Sequence, residues 1–133
     1  MTKHRLLVVD DQIGIVSFLY DFFSRKDYEV LQATNGRSAV LVVRKEHPDI
    51  VLLDIKLGWG MNGMEVLKQI KEIAPKTRVI MMTSIADEDI IKQAFDTGAD
   101  DYVIKPFSLH YLEKVVMMKI LSMEIESLGE KDR

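Results

Sequence analysis

Cysteine is absent from the 133 residues, which excludes a disulfide framework and a thiolate metal site and suits a reducing cytoplasm. Basic charge is not concentrated anywhere. Lys and Arg number 18 against 21 Asp and Glu, the net charge is -3, and without a Lys/Arg run the footprint of a nucleic-acid binder is missing. No apolar run is long enough to span a bilayer. The N-terminus enters a strand-like run within about five residues, without the apolar h-region of a signal peptide. Internal repeats and low-complexity segments are lacking too, and the length leaves no room for a second domain. The expectation is one soluble, cytoplasmic domain that touches neither nucleic acid nor membrane. With 47% hydrophobic residues it can build a proper core.

What is present is a regular alternation. Short apolar runs rich in β-branched residues at 6–9, 28–33, 50–53, 78–82 and 102–104 read as five strands. The first, third and fourth are continuously apolar, the pattern of strands covered on both faces. Between and after them lie segments of helical period at 13–26, 37–46, 64–73, 87–97 and from 109 to about 121. In the first helix, Ile13, Val16, Leu19, Tyr20 and Phe23 fall at three- and four-residue spacings and predict one buried stripe. Gly98 is placed to end the fourth helix, and Ser108 to cap the fifth. Five strands alternating with five helices require right-handed crossovers, hence an α/β doubly wound parallel sheet with helices on both faces.

In such a sheet the ligand crevice lies beyond the carboxyl ends of the strands. Acid accumulates there. Asp10 and Asp11 close the first strand and Asp54 closes the third, and carboxylates brought that close repel by roughly 4 kcal/mol per pair at intermediate dielectric. A hard divalent cation such as Mg²⁺ offsets this and keeps positions open for a phosphoryl oxygen. Thr83 ends the fourth strand and Lys105 follows the fifth; a hydroxyl, an ammonium and a cation around one carboxylate form a clamp for a phosphoryl group in transit. Asp54 is then the nucleophile, giving an acyl phosphate. Taken singly, Asp10 or Asp11 is as well explained as a helix N-cap, Asp54 as a loop start, Thr83 as an ordinary strand residue and Lys105 as a solvated charge. Four strands all ending in groups suited to one chemistry favour the joint reading.

These residues resemble the response regulator receiver family from about Leu6 to Leu121. Leu6-Leu7-Val8-Val9-Asp10-Asp11 is similar to the family's opening strand and acid pair, and Asp49-Ile50-Val51-Leu52-Leu53-Asp54 to its phosphoacceptor strand. Val79-Ile80-Met81-Met82-Thr83-Ser84 resembles its fourth strand. Gly98-Ala99-Asp100-Asp101-Tyr102-Val103-Ile104-Lys105-Pro106-Phe107 resembles its fifth and is the most specific signature. The resemblance implies a flavodoxin-like (βα)5 sheet in the order 2-1-3-4-5. It implies Mg²⁺ on Asp11, Asp54 and the Lys56 backbone carbonyl, with Asp10 acting through water, and a phosphoryl group held by Thr83 and Lys105. It implies a sensor histidine kinase or histidine phosphotransfer protein as donor. Tyr102 takes the position of the family's aromatic switch, which the resemblance implies swings inward once Thr83 turns toward the phosphoryl group; otherwise it is an edge-strand tyrosine with its hydroxyl in water.

On this reading 1–123 is the receiver domain and 124–133 a polar tail or linker stub. The output is a downstream effector domain or protein, or a homodimer, engaged through the fourth helix, fifth strand and fifth helix. The fifth helix carries Val115, Val116, Met117, Met118, Ile120 and Leu121, wider than one buried stripe. Helix-turn-helix, HD-type and GGDEF-like output signatures are lacking, and His4, His47 and His110 are scattered. Residues 57–63 depart from the family: the usual proline is missing, the loop is about one residue longer, and Trp59 stands between two glycines. A phosphatase of another aspartyl-nucleophile class needs a second Asp two residues after the nucleophile, where this chain has Lys56. A degenerate receiver is disfavoured by the complete acid pair, Asp54, Thr83 and Lys105.

Overall fold

The computed structural model describes residues 3–58 and 60–131; Trp59 lies outside them. Five strands, β1 (Arg5–Val9), β2 (Glu29–Ala33), β3 (Ile50–Leu53), β4 (Arg78–Thr83) and β5 (Asp101–Ile104), alternate with α1 (Ile13–Ser24), α2 (Gly36–Glu46), α3 (Gly63–Ile73), α4 (Glu88–Thr97) and α5 (Leu109–Lys131). The strands form one parallel sheet in the order β2-β1-β3-β4-β5.

The continuously apolar runs become the three interior strands, and their residues alternate between two core layers. Leu7, Val9, Val51, Leu53, Val79 and Met81 pack with α2, α3 and α4 on one face. Leu6, Val8, Ile50, Leu52, Ile80 and Met82 pack with α1 and α5 on the other. Each strand thus needs apolar side chains at every position, because a parallel sheet is covered twice.

Helix ends follow local chemistry. Asn35, Asn62 and Asp87 accept from the N–H groups of Ser38, Glu65 and Asp89 at 2.8, 3.0 and 2.8 Å. Ser108 Oγ accepts from Tyr111 N–H at 3.0 Å, as the sequence led one to expect. Gly98 ends α4 at φ 116°, a conformation open mainly to glycine.

Two expectations need correction. In α1 only Val16, Leu19 and Phe23 of the five stripe residues are buried; Ile13 is 71% and Tyr20 37% exposed. Ile13 opens the helix beside the strand ends, beyond the layer that covers its successors. α5 does not stop near Leu121. It continues through the polar stretch to Lys131, where His4 pairs with Glu124 at 3.3 Å and Arg78 with Glu126. Among the described residues no helix is long and apolar enough to cross a membrane.

Candidate functional site

The strand order puts the carboxyl ends of β1 and β3 side by side, with Val9 in register with Leu53. Each strand is followed at once by acid. Asp10, Asp11 and Asp54 each bring a carboxylate oxygen within 4.8 Å of the others'. Asp10 is fully buried, Asp54 is 7% exposed, and Asp11 faces solvent. Asp10 Oδ1 accepts from the Gln12 N–H at 3.0 Å, and Asp54 Oδ1 from the Lys56 N–H at 3.2 Å.

Lys105, the first residue beyond β5, reaches across to both buried acids. Its Nζ donates to Asp10 Oδ2 at 2.7 Å and to Asp54 Oδ2 at 3.1 Å. Its peptide bond to Pro106 is cis. Thr83, the last residue of β4, is fully buried, and its Oγ1 accepts from Ile85 N–H at 3.4 Å. Tyr102 lies in the middle of β5. Its hydroxyl is not simply in water, since it donates to the Ile85 carbonyl at 2.7 Å.

The electrostatics follow from one cation shared by two carboxylates. Burial, and then the Asp10 charge, push the Asp54 carboxyl above its ordinary range, against the pull of Lys105 and the Lys56 N–H. Burial draws the Lys105 ammonium down, but its hydrogen bonds to Asp10 and Asp54 outweigh this and hold it charged. The directions agree physically: Lys105 has two carboxylate partners, whereas Asp54 shares its one ammonium with Asp10. Tyr102 is raised by burial and then by the charges of Asp54 and Asp87.

Three carboxylates and one ammonium leave two net negative charges in the crevice. The donors are all hard oxygens, which suits a hard divalent cation. The site therefore has the donor set for a metal.

Sequence reasoning missed the role of Gly63. Its N–H donates to the Ile55 carbonyl at 2.7 Å and closes the loop after Asp54, and a Cβ there would lie 2.2 Å from the Asp54 carbonyl oxygen. The signal was Asn62-Gly63 just before a helix start, read only as the end of the loop that departs from the family. Gly58 approaches Asp11 in the same loop and takes φ 69°.

Sheet order and crevice define a doubly wound α/β domain whose site is an acidic, lysine-bridged cluster at the carboxyl edge. The model of the response regulator receiver domain matches residues 6–117, and the chain belongs to that family, which places it in two-component signalling. It is 40% identical to sporulation initiation phosphotransferase F of Bacillus subtilis over 116 residues, 87% of this chain and 93% of that protein. It is 37% identical to the regulatory protein AtoC of Escherichia coli over 130 residues, 98% of this chain but 27% of that protein. A CheY-like receiver domain from Methanospirillum hungatei superposes with a TM-score of 0.91 at 28% identity, covering 94% of this chain and 99% of that one.

Proposed function

We propose that the chain is a cytoplasmic phosphoacceptor. Asp54 takes a phosphoryl group from a phosphohistidine on a sensor kinase or phosphotransfer protein, and the α4/β5/α5 face reports the event to an effector. The observation that carries this reading is the setting of Asp54, a nearly buried carboxylate held by Lys105 and the Lys56 N–H beside two further acids. A carboxylate oxygen attacks phosphorus, the P–N bond breaks, and the imidazole leaves. Hydrolysis of the acyl phosphate then returns the carboxylate and inorganic phosphate. Catalysis is confined to these two steps on its own side chain.

Asp11, Asp54 and the Lys56 carbonyl, with Asp10 through water, would hold Mg²⁺. Bound there, the cation offsets the acidic charge and supplies a ligand position to a phosphoryl oxygen. Lys105 already hydrogen-bonds the attacking group, so a small displacement brings its ammonium onto the transferred oxygens. Thr83 turns its hydroxyl to another. Residues 1–123 form the receiver unit, and the turns of α5 from 124 onward form a stem.

The test is intact mass after incubation with Mg²⁺ and phosphoramidate. One phosphoryl should be gained by the parent chain and none by Asp54→Asn or by the parent in EDTA. A stable gain at unchanged rate in Asp54→Asn would move the nucleophile elsewhere.

A further inference from the structure

Asn-Gly occurs at Asn35-Gly36 and at Asn62-Gly63, each time where a helix begins. Glycine has no Cβ to shield its nitrogen and turns its backbone most freely, so here a main-chain nitrogen can reach the preceding side-chain carbonyl. When the glycine nitrogen attacks Asn Cγ, a cyclic imide forms, and the side-chain amino group leaves with the amide proton as ammonia. Water then opens the ring at one carbonyl or the other. One product is aspartate in a normal chain; the other is isoaspartate, linked through its side-chain carbonyl. Water is the sole co-reactant.

The two dipeptides start from similar backbones, with ψ 165° at Asn35 and 169° at Asn62, so in both the glycine peptide must rotate to reach Cγ. Their restraints differ. At Asn62, Oδ1 accepts from the Glu65 N–H at 3.0 Å and Nδ2 donates to Glu65 Oε1 at 3.4 Å. The attacking nitrogen of Gly63 is itself engaged, donating to the Ile55 carbonyl at 2.7 Å, and backbone atoms crowd that glycine. At Asn35, Oδ1 accepts from the Ser38 N–H at 2.8 Å. Among the described residues neither Asn35 Nδ2 nor the Gly36 N–H has a hydrogen-bond partner. The nearest atom to the place of a Gly36 Cβ is Val66 Cγ2, at 2.7 Å, the end of a side chain rather than backbone.

We propose that Asn35 is a site of spontaneous deamidation and isoaspartate formation in the folded protein, and that the fold protects Asn62 from the same reaction. Ring closure at Asn62 gives up the loop-closing bond and the Glu65 contact in addition to what both sites lose. Isoaspartate at 35 lengthens the main chain by one atom and removes the carboxamide that caps Ser38. It also displaces the Asn35 carbonyl, which accepts from the Ala39 N–H at 3.1 Å. The change lies two residues from Ala33, whose carbonyl accepts from the Asp10 N–H at 3.3 Å, so the mark of age falls at the rim of the acidic crevice.

The test is to hold the whole chain for weeks in mildly alkaline buffer and map its peptides by mass and by isoaspartyl methyltransferase labelling. In the folded chain the peptide with Asn35 should convert faster than that with Asn62 by about three- to tenfold, the worth of one net hydrogen bond. In guanidinium chloride the two should convert alike. Equal or faster conversion at Asn62 in the folded chain overturns the proposal, as does a folded chain in which neither site reacts while both do in denaturant. A preference for Asn35 that persists in denaturant would trace it to local sequence and overturn the structural account. Asn35→Ser keeps a capping hydroxyl but cannot form the imide. Aged parent should show a lower urea midpoint and faster amide exchange at Asp10, Ser38 and Ala39, and aged Asn35→Ser should show neither. Equal loss in both would show that the damage lies elsewhere.

Discussion

The hydroxyl of Tyr102 donates to the carbonyl oxygen of Ile85 at 2.7 Å, tying the middle of β5 to the loop that leaves β4. The Ile85 amide donates to Thr83 Oγ1 at 3.4 Å, so Ile85 is held at both ends, by Thr83 and by Tyr102. If Thr83 turns its hydroxyl toward a phosphoryl group, the amide loses its partner and the loop before α4 is free to repack. Tyr102→Phe should cost about 0.5–1.5 kcal/mol, the net worth of one hydrogen bond, and should speed amide exchange at 84–87. Beryllofluoride, which mimics the aspartyl phosphate, should narrow the difference between variant and parent. Identical exchange in both without beryllofluoride would show that the tether does not restrain the loop.

Asp54 should be a destabilising residue when no cation is bound. Burial and then Asp10 raise its pKa above the ordinary carboxyl value. Its contribution to stability is therefore fully present below the unfolded-state pKa and is lost as pH rises through the folded one. In EDTA at neutral pH, Asp54→Asn should have a higher urea midpoint than the parent. The gain should shrink as pH falls and the parent's carboxyl protonates. A variant less stable than the parent at neutral pH would mean that Lys105 outweighs burial and repulsion.

The fold was legible where a residue's surroundings follow from its own strand or helix. The runs at β1, β3 and β4 could be recognised as interior because both faces of a parallel sheet demand apolar side chains, and Asp10, Asp11, Asp54, Thr83 and Lys105 could be placed because strand ends converge. What was not legible depends on partners distant in the chain. Nothing near Glu124 or Glu126 announces that His4 and Arg78 will hold them, so a polar stretch containing Gly129 read as a polar tail or linker stub. Ile13 and Tyr20 share the spacing of Val16 and Phe23, and only the limits of the covering layer separate them. That Lys105 would be shared between Asp10 and Asp54 is likewise a property of β1, β3 and β5 together.

Gly63 should tolerate no side chain. An added Cβ would meet the Asp54 carbonyl oxygen at 2.2 Å and the Ile55 Cα at 2.5 Å, and neither can yield without moving the backbone next to Asp54. Gly63→Ala should cost about 1–3 kcal/mol. Gly14, within α1, has nothing within 4 Å of such a Cβ, so Gly14→Ala should instead stabilise by about 0.5–1 kcal/mol. Urea denaturation of the two variants gives opposite signs if the crowding is real, and a neutral Gly63→Ala would show that the loop relaxes freely.

Asp11 offers the clearest separation of cation binding from folding. It is exposed, so Asp11→Ala disturbs little packing, yet it is one of three acids whose oxygens come within 4.8 Å of one another. Its removal lessens the repulsion within the cluster, so without divalent cation the variant should be at least as stable as the parent. Mg²⁺ should reverse the order. A ligand that binds only the folded state stabilises it by about 2.7 kcal/mol at a hundredfold excess over its Kd, and a cation on so few protein oxygens cannot spare a charged one. The parent's urea midpoint should therefore climb with Mg²⁺ while that of Asp11→Ala stays nearly flat over the same range. Lys105→Ala supplies the contrast. It leaves the three carboxylates without their ammonium, so the variant should be less stable in EDTA and should gain more from Mg²⁺ than the parent does. Equal Mg²⁺ responses in parent and Asp11→Ala would place the cation away from the Asp10, Asp11 and Asp54 cluster.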